Sequence, residues 1–235
     1  MNSKLARRAL WVGCTMVALL GVFLLRQLAA QDQPKRLALV VGVNQYKKRG
    51  LAEKPLRFAE RDVTELARVL GDQGFRVVTL TGDAATKRAI ETARDRLLND
   101  CNASDLVLLA FAGHGAQLDL RDAEGRLEIG PNGKPLSDAY FCPVDAVAGD
   151  DGTMISLIRL FEALDQRGGI NMVMADCCRD NPQELAMRGT RSFSGNELVG
   201  RLPKNSAILL SCAADQQARE HEAAGGAVTG SSFIR

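Results

Sequence analysis

Two side chains in this 235-residue sequence have the chemistry to open a carbonyl compound together: His114, set between glycines, and Cys178, close behind an apolar run. A thiol attacks a carbonyl only as thiolate, and a nearby imidazole supplies the base or the counter-charge. The chain has two histidines, His114 and His221. Gly113 and Gly115 give the His114 backbone access to conformations closed to other residues and leave space around the ring. Each residue also has a plainer reading. A histidine can cap a strand end, and a cysteine at a strand end can be an inert small hydrophobe. What sets this pair apart is that both follow runs of strand character, Asp105 to Ala112 and Ile170 to Ala175.

Those runs belong to a longer alternation. Leu37 to Val43 (LALVVGV) is continuously apolar, as expected of a strand buried on both faces. The stretch Leu56 to Leu70 carries apolar residues at 59, 63, 66, 67 and 70, a helical stripe closed by Gly71 and Gly74. Phe75 to Leu80 predicts a second strand, and Thr86 to Leu98 a second helix with Ile90, Ala93 and Leu97 on one side. The third strand, Asp105 to Ala112, ends at Gly113-His114-Gly115. Gln117 to Tyr140 is polar, with turn signals at Glu124-Gly125 and Pro131-Asn132-Gly133, and predicts a hairpin or excursion outside the main sheet. A helix from Ile155 to Leu164, a fourth strand from Ile170 to Ala175, an Arg-, Gly- and Ser-rich loop over about 181–204 and a fifth strand from Ala207 to Ser211 complete the pattern. Such alternation predicts an α/β fold, a mostly parallel sheet with helices on both faces. Reactive groups then gather beyond the carboxyl ends of the strands. His114 falls just past the third strand and Cys178 just past the fourth, so neighbouring strands would bring imidazole and thiol out side by side.

The formal charge of +2 conceals two regions. Lys4, Arg7, Arg8 and Arg26 lie in the first thirty residues, which contain no acid; removing those four from thirty bases leaves 26 against 28 acids. That balance argues against a nucleic-acid binder, whose electrostatic footprint is a basic face. Residues 1–31 have a basic start, an uncharged and mostly apolar run from Ala9 to Leu25, and small residues after Arg26. They are expected to be either a secretory signal peptide or an uncleaved membrane anchor, with the domain over 35–235 exported or held at the membrane. The six cysteines, at 14, 101, 142, 177, 178 and 212, form no CxxC pair and no zinc-ligand spacing with histidine.

Four segments in order carry a resemblance: Leu39-Val40-Val41-Gly42-Val43-Asn44-Gln45-Tyr46, Phe58-Ala59-Glu60-Arg61-Asp62-Val63, Ala112-Gly113-His114-Gly115, and Met174-Ala175-Asp176-Cys177-Cys178-Arg179-Asp180-Asn181-Pro182. Together they resemble the caspase-like domain of bacterial metacaspase relatives, from about Arg36 to about Ala213. Caspases carry a Gln-Ala-Cys-Arg-Gly type signature with the histidine about fifty residues upstream. Asp176 to Asp180 is similar to it, with an acid in place of Gln.

The resemblance implies a caspase-like three-layer sandwich and a cysteine endopeptidase. Cys178 would be the nucleophile, His114 the base or acid, and the backbone N–H groups of Gly115 and Cys178 the oxyanion hole. Asp62 and Asp176 match the acids that line the pocket for the residue preceding the cut bond. Carboxylates there favour Arg or Lys and repel an acidic side chain, so the substrates implied are peptides or proteins with basic residues. Arg188, Arg191 and Arg201 are then candidate self-cleavage sites, or solvated loop charges. Cys177 departs from the family, which has a small inert residue there; strand alternation turns it away from Cys178 as a packing residue. Relatives continue past a segment like Ser211-Cys212-Ala213-Ala214, so a shortened C-terminal end is expected. Asp145, Asp150 and Asp151 cluster where some relatives bind calcium, but without a defined ligand spacing no metal or other cofactor is assigned. The alternative to an active peptidase is a catalytically inactive caspase-like module that binds peptides or partners. A nucleotide-binding domain would show a similar strand pattern, yet GxGxxG and GxxxxGK[ST] are both missing.

Overall fold

The apolar run at the start of the domain becomes β1 (Arg36–Gly42), with every residue after Arg36 buried. It is flanked on both edges by parallel strands, β2 (Arg76–Thr81) and β3 (Leu106–Asp119), and has helices over both faces, so no position after Arg36 meets water. β3 in turn pairs in parallel with β6 (Ile170–Arg179), and β6 with β7 (Ser206–Leu210). Two antiparallel strands, β4 (Ser137–Phe141) and β5 (Ile155–Ser156), complete a seven-stranded sheet. A computed structural model describes residues 33–179, 202 and 204–211 of the chain, with the backbone alone at 178 and 179. The leader, Arg188, Arg191, Arg201, Cys212 and His221 lie outside the described residues. Among those described, no helix is long and apolar enough to cross a membrane.

Among the described residues three α-helices cover the sheet. α1 (Ala59–Asp72) lies on one face, where Ala59, Val63 and Leu70 pack against Ala38, Val40, Leu108, Ala110 and Ala112. α2 (Lys87–Asn99) and α3 (Leu157–Arg167) lie on the other, where Ile90, Leu97, Leu160, Phe161 and Leu164 meet Leu37, Leu39, Leu109 and Phe111. Alternate residues of β3 thus serve opposite cores, as a period of two requires. α2 begins at Thr86, whose side chain accepts from Ala89 N at 3.2 Å, and α3 at Ser156, whose hydroxyl accepts from Arg159 N at 3.0 Å. These caps satisfy amides that have no partner inside the helix. The layers are those of an α/β sandwich with a mostly parallel sheet, as the sequence pattern predicts.

The helix expected from Ile155 begins instead at Leu157, after the short strand β5, and three further differences from the sequence reading bear on the site. β3 does not stop at Ala112 but continues through Gly113-His114-Gly115 to Asp119, and β6 continues from Ala175 to Arg179. His114 and Cys178 therefore lie within paired strands rather than beyond their tips. The polar stretch from Gln117 is a hairpin, but it extends the main sheet instead of leaving it: residues 115–119 pair with β4 in antiparallel register, from Gly115↔Phe141 to Asp119↔Ser137. Backbone pairing, which hydropathy does not report, carries the strands through these polar residues. Phe111 and Phe141, both fully buried with ring centroids 5.1 Å apart, anchor β4 against β3 where the hairpin begins. Each buried phenylalanine contributes roughly 1.5–3 kcal/mol.

Candidate active site

β3 changes partner at His114. On one edge it follows β1 as far as Ala112, whose carbonyl accepts the last rung from Val43 N at 3.0 Å. From Gly115 onward that edge belongs to β4, and Cys142 N donates to the His114 carbonyl at 2.9 Å. β6 occupies the opposite edge throughout, from Leu106↔Ile170 to Gly115↔Arg179. The register sets Ala112 beside Asp176, Gly113 beside Cys177 and His114 beside Cys178. Neighbouring strands lie about 4.8 Å apart. The two residues with the chemistry for peptide cleavage are therefore facing partners on adjacent strands.

The imidazole is held by the loop between β1 and α1. The Lys54 carbonyl lies 2.7 Å from His114 Nε2, and the Tyr46 hydroxyl accepts from His114 N at 2.7 Å. The Tyr46 and His114 rings stack at 4.9 Å with 31° between their planes. A carbonyl can only accept, so Nε2 carries the hydrogen and, in the neutral ring, Nδ1 carries the lone pair. Lys54 precedes Pro55, which confines its backbone to extended conformations and steadies the accepting carbonyl. His114 as a whole is 2% exposed.

The loop is fixed at its ends. Phe58 occupies the N-cap of α1 and offers no side-chain cap, so Asn44 supplies one from outside: its Oδ1 accepts from Glu60 N at 3.2 Å while its own N–H donates to Glu60 Oε1 at 2.9 Å. Leu56 N donates to the Asn44 carbonyl at 2.8 Å, and Lys47 N to the Val144 carbonyl at 3.0 Å. The sequence reading placed Asn44, Tyr46 and Glu60 within the resemblance but gave them no role, and it missed Lys54. Lys54 acts through its main chain, which no side-chain pattern signals.

Of the two expected pocket acids, Asp62 is 5% exposed in the first turn of α1, where its amide donates to the Phe58 carbonyl at 2.8 Å. Asp176, 8% exposed, follows Met174 by two residues, and Met174 packs against the α1 core. By strand alternation both acids belong to the α1 side of the sheet. Both have interaction partners, as buried carboxylates require. Cys177 takes the opposite side and packs against the core beneath α2 and α3, as expected. Gly115 lets it come close: a Cβ at 115 would lie 2.8 Å from Cys177 Cβ.

The acidic cluster is engaged locally. Asp145 Oδ1 accepts from Lys87 N at 2.9 Å, and Asp150 Oδ1 from Gly152 N at 3.0 Å. Among the described residues no three His, Cys, Asp or Glu side chains are grouped to hold a metal ion. Cys101 and Cys142 are buried, and burial pushes the Cys101 thiol up from its ordinary pKa.

Comparison with known proteins gives two results. The family model for the caspase domain matches residues 35–232. Among solved structures, the chain is similar to protein GSU0716 from Geobacter sulfurreducens, at a TM-score of 0.58 and 21% identity over 85% of this chain and 79% of that one. This second likeness speaks for the fold alone. No curated protein matches.

Proposed function

Since the chain belongs to the caspase-domain family, and so at family level to the cysteine peptidases, we propose that it is an endopeptidase cutting after Arg or Lys through a Cys178–His114 dyad. One observation carries the reading: the register His114↔Cys178, with Nε2 committed to the Lys54 carbonyl so that Nδ1 holds the lone pair. That nitrogen takes the Cys178 proton, and the thiolate attacks the scissile carbonyl. Charge on the tetrahedral oxygen is taken up by the backbone N–H groups of Gly115 and Cys178. The imidazolium, steadied through Nε2–H by the carbonyl, protonates the leaving amine. Water then hydrolyses the thioester along the reverse path. Nucleophile and base are both side chains of this chain, so the scheme calls for no metal or cofactor.

Asp62 and Asp176 support the choice of substrate. Two buried carboxylates on one side of the sheet attract a guanidinium or ammonium and repel the Asp that true caspases accept. The leader would carry the domain out of the cytoplasm, free or tethered by its N-terminus, so that its peptide or protein substrates are met there.

The burial of His114 favours a second reading, a binding module in which the imidazole is structural. Labelling of the purified chain with an arginyl electrophile separates the two. An active dyad is modified at Cys178 and loses that reaction in His114→Ala; equal or absent labelling in both supports the module. Fluorogenic Arg, Lys and Asp peptides, with Cys178→Ala as control, test the pocket, and turnover of the Asp peptide alone would overturn it.

A further inference from the structure

The dyad reading gives Tyr46 no task, yet the phenol touches the histidine in two places. Its hydroxyl accepts from the His114 amide at 2.7 Å, and its ring stacks on the imidazole at 4.9 Å. The position of this contact along β3 explains its purpose. The β1 edge delivers its last rung to the Ala112 carbonyl, and the β4 edge starts with Cys142 N donating to the His114 carbonyl. Between these two rungs the His114 amide faces an edge where one strand has ended and the next has not begun. A buried amide left there would cost the full penalty of an unmet donor, about 1–3 kcal/mol. The Tyr46 hydroxyl fills that gap and stands in for a strand.

Gly113 supplies an independent observation. Its φ is +155°, and a Cβ built on it would lie 2.7 Å from the Tyr46 hydroxyl oxygen and 3.0 Å from Phe141 Cε2. The space a side chain would need at 113 is thus occupied by the phenol. The first glycine of Gly-His-Gly admits Tyr46, just as the second admits Cys177. Tyr46 is itself buried and anchored in the core beneath α2 and α3. A main-chain hydrogen bond and a ring contact from one rigid side chain leave the imidazole little freedom to turn away from the Lys54 carbonyl.

We infer that Tyr46 is a positioning residue for the proposed dyad: by bridging the break in the β3 edge and stacking on the ring, it keeps His114 Nε2 on the Lys54 carbonyl and so leaves the lone pair on Nδ1. The inference rests on the dyad reading for its catalytic consequence, but its structural part can be tested without turnover.

Tyr46→Phe keeps the ring and removes the acceptor. In nitrogen NMR, with His114→Ala used to assign the only other histidine, the unsubstituted protein should show His114 as a single Nε2–H tautomer. Tyr46→Phe should show a mixture of tautomers. In turnover of the arginyl peptide, kcat should fall about tenfold to a hundredfold with KM within about twofold, the scale of a small misplacement of a reacting group. The rate should also rise with pH over a shifted range. A role confined to packing would leave the tautomer and the pH profile of turnover as they were, and that result overturns the inference. A changed His114 spectrum in a protein with no turnover of any peptide would uphold the positioning role while sinking the peptidase reading.

A second measurement serves if Tyr46→Phe fails to fold. The chain has two tyrosines, so biosynthetic fluorotyrosine gives two fluorine signals, with Tyr140→Phe assigning them. The Tyr46 signal should shift in His114→Ala, which removes the ring that lies 4.9 Å from the phenol. A Tyr46 signal indifferent to the imidazole in the folded protein refutes the stacking contact and the inference with it.

Discussion

Gly115→Ala isolates the packing of the two strands that carry the proposed dyad. The substitution keeps the residue-115 N–H, so any loss of activity comes from geometry and not from a missing oxyanion donor. The added Cβ would stand 2.8 Å from Cys177 Cβ and 3.1 Å from the Tyr140 carbonyl oxygen. Carbon atoms pack at about 3.5–4.0 Å, so β3 and β6 must part by roughly 0.7–1.2 Å at this rung. It adjoins the His114–Cys178 rung. Overpacking of this kind costs about 1–3 kcal/mol, while a displacement near 1 Å at reacting groups costs about a hundredfold in rate. Urea unfolding should show the first effect and arginyl labelling of Cys178 the second. Cys177→Gly removes the atom that is struck, so the double variant should be more stable than the sum of the single costs predicts, by about 0.5–2 kcal/mol. Full recovery is not expected, because the Tyr140 carbonyl stays in place. Strictly additive costs, or a Gly115→Ala protein as stable and as reactive as its parent, would refute the reasoning.

Asn44→Ala removes the external cap of α1 and should cost about 0.5–2 kcal/mol in urea unfolding; labelling of Cys178 should slow as well, because the same loop carries Tyr46 and Lys54. Asp138→Ala strips a buried carboxylate, 2% exposed, that accepts from Ser156 Oγ and from Ile158 N at 3.2 Å. The orphaned donors should lower stability by about 2–4 kcal/mol, seen as a lower Tm, and a Tm within a degree of the parent would deny Asp138 its role at the start of α3. Tyr140 gives a pH test. Burial first, then the charge of Asp138, hold its phenol well above the ordinary value. A raised folded pKa means that this contribution is fully present below the unfolded value near 10 and is lost as pH rises above it, at about 1.4 kcal/mol per pH unit. The Cys101 thiol, also raised by burial, starts the decline from about pH 9. Tyr140→Phe should flatten the fall in stability above pH 10 and leave the onset near pH 9; an unchanged alkaline limb would count against it.

The parts of this fold legible in the sequence are those in which burial decides the residue type. LALVVGV announces a doubly covered strand because β1 has neighbours on both edges and helices on both faces. The stripe at 59, 63, 66, 67 and 70 announces α1 because it has a single core to meet. Legibility fails where the backbone carries the structure. Nothing in the hydropathy of Gly113-His114-Gly115 or Asp176-Cys177-Cys178 shows that both run inside ladders, since main-chain pairing is indifferent to side-chain type. Of the site, His114, Cys178, Asp62 and Asp176 stood out by chemistry and resemblance. Lys54 did not, because its carbonyl is common to every residue. Tyr46 stood in view without a role, because its partner is 68 positions away.

This division has a mechanical consequence. The sheet sets the distance between His114 and Cys178 through consecutive rungs of one parallel ladder, where a shift of one member drags its neighbours. The loop from β1 to α1 sets the direction of the imidazole, through one carbonyl and one phenol, and is itself held by Asn44 and Glu60. The two controls meet at His114, where β3 exchanges β1 for β4. Changes in the ladder, as at Gly115, should therefore lower stability and reactivity together. Changes in the loop, as at Tyr46, should alter the proton-transfer behaviour of the ring more than the stability of the sheet. A site that took both its spacing and its orientation from the sheet would show no such separation.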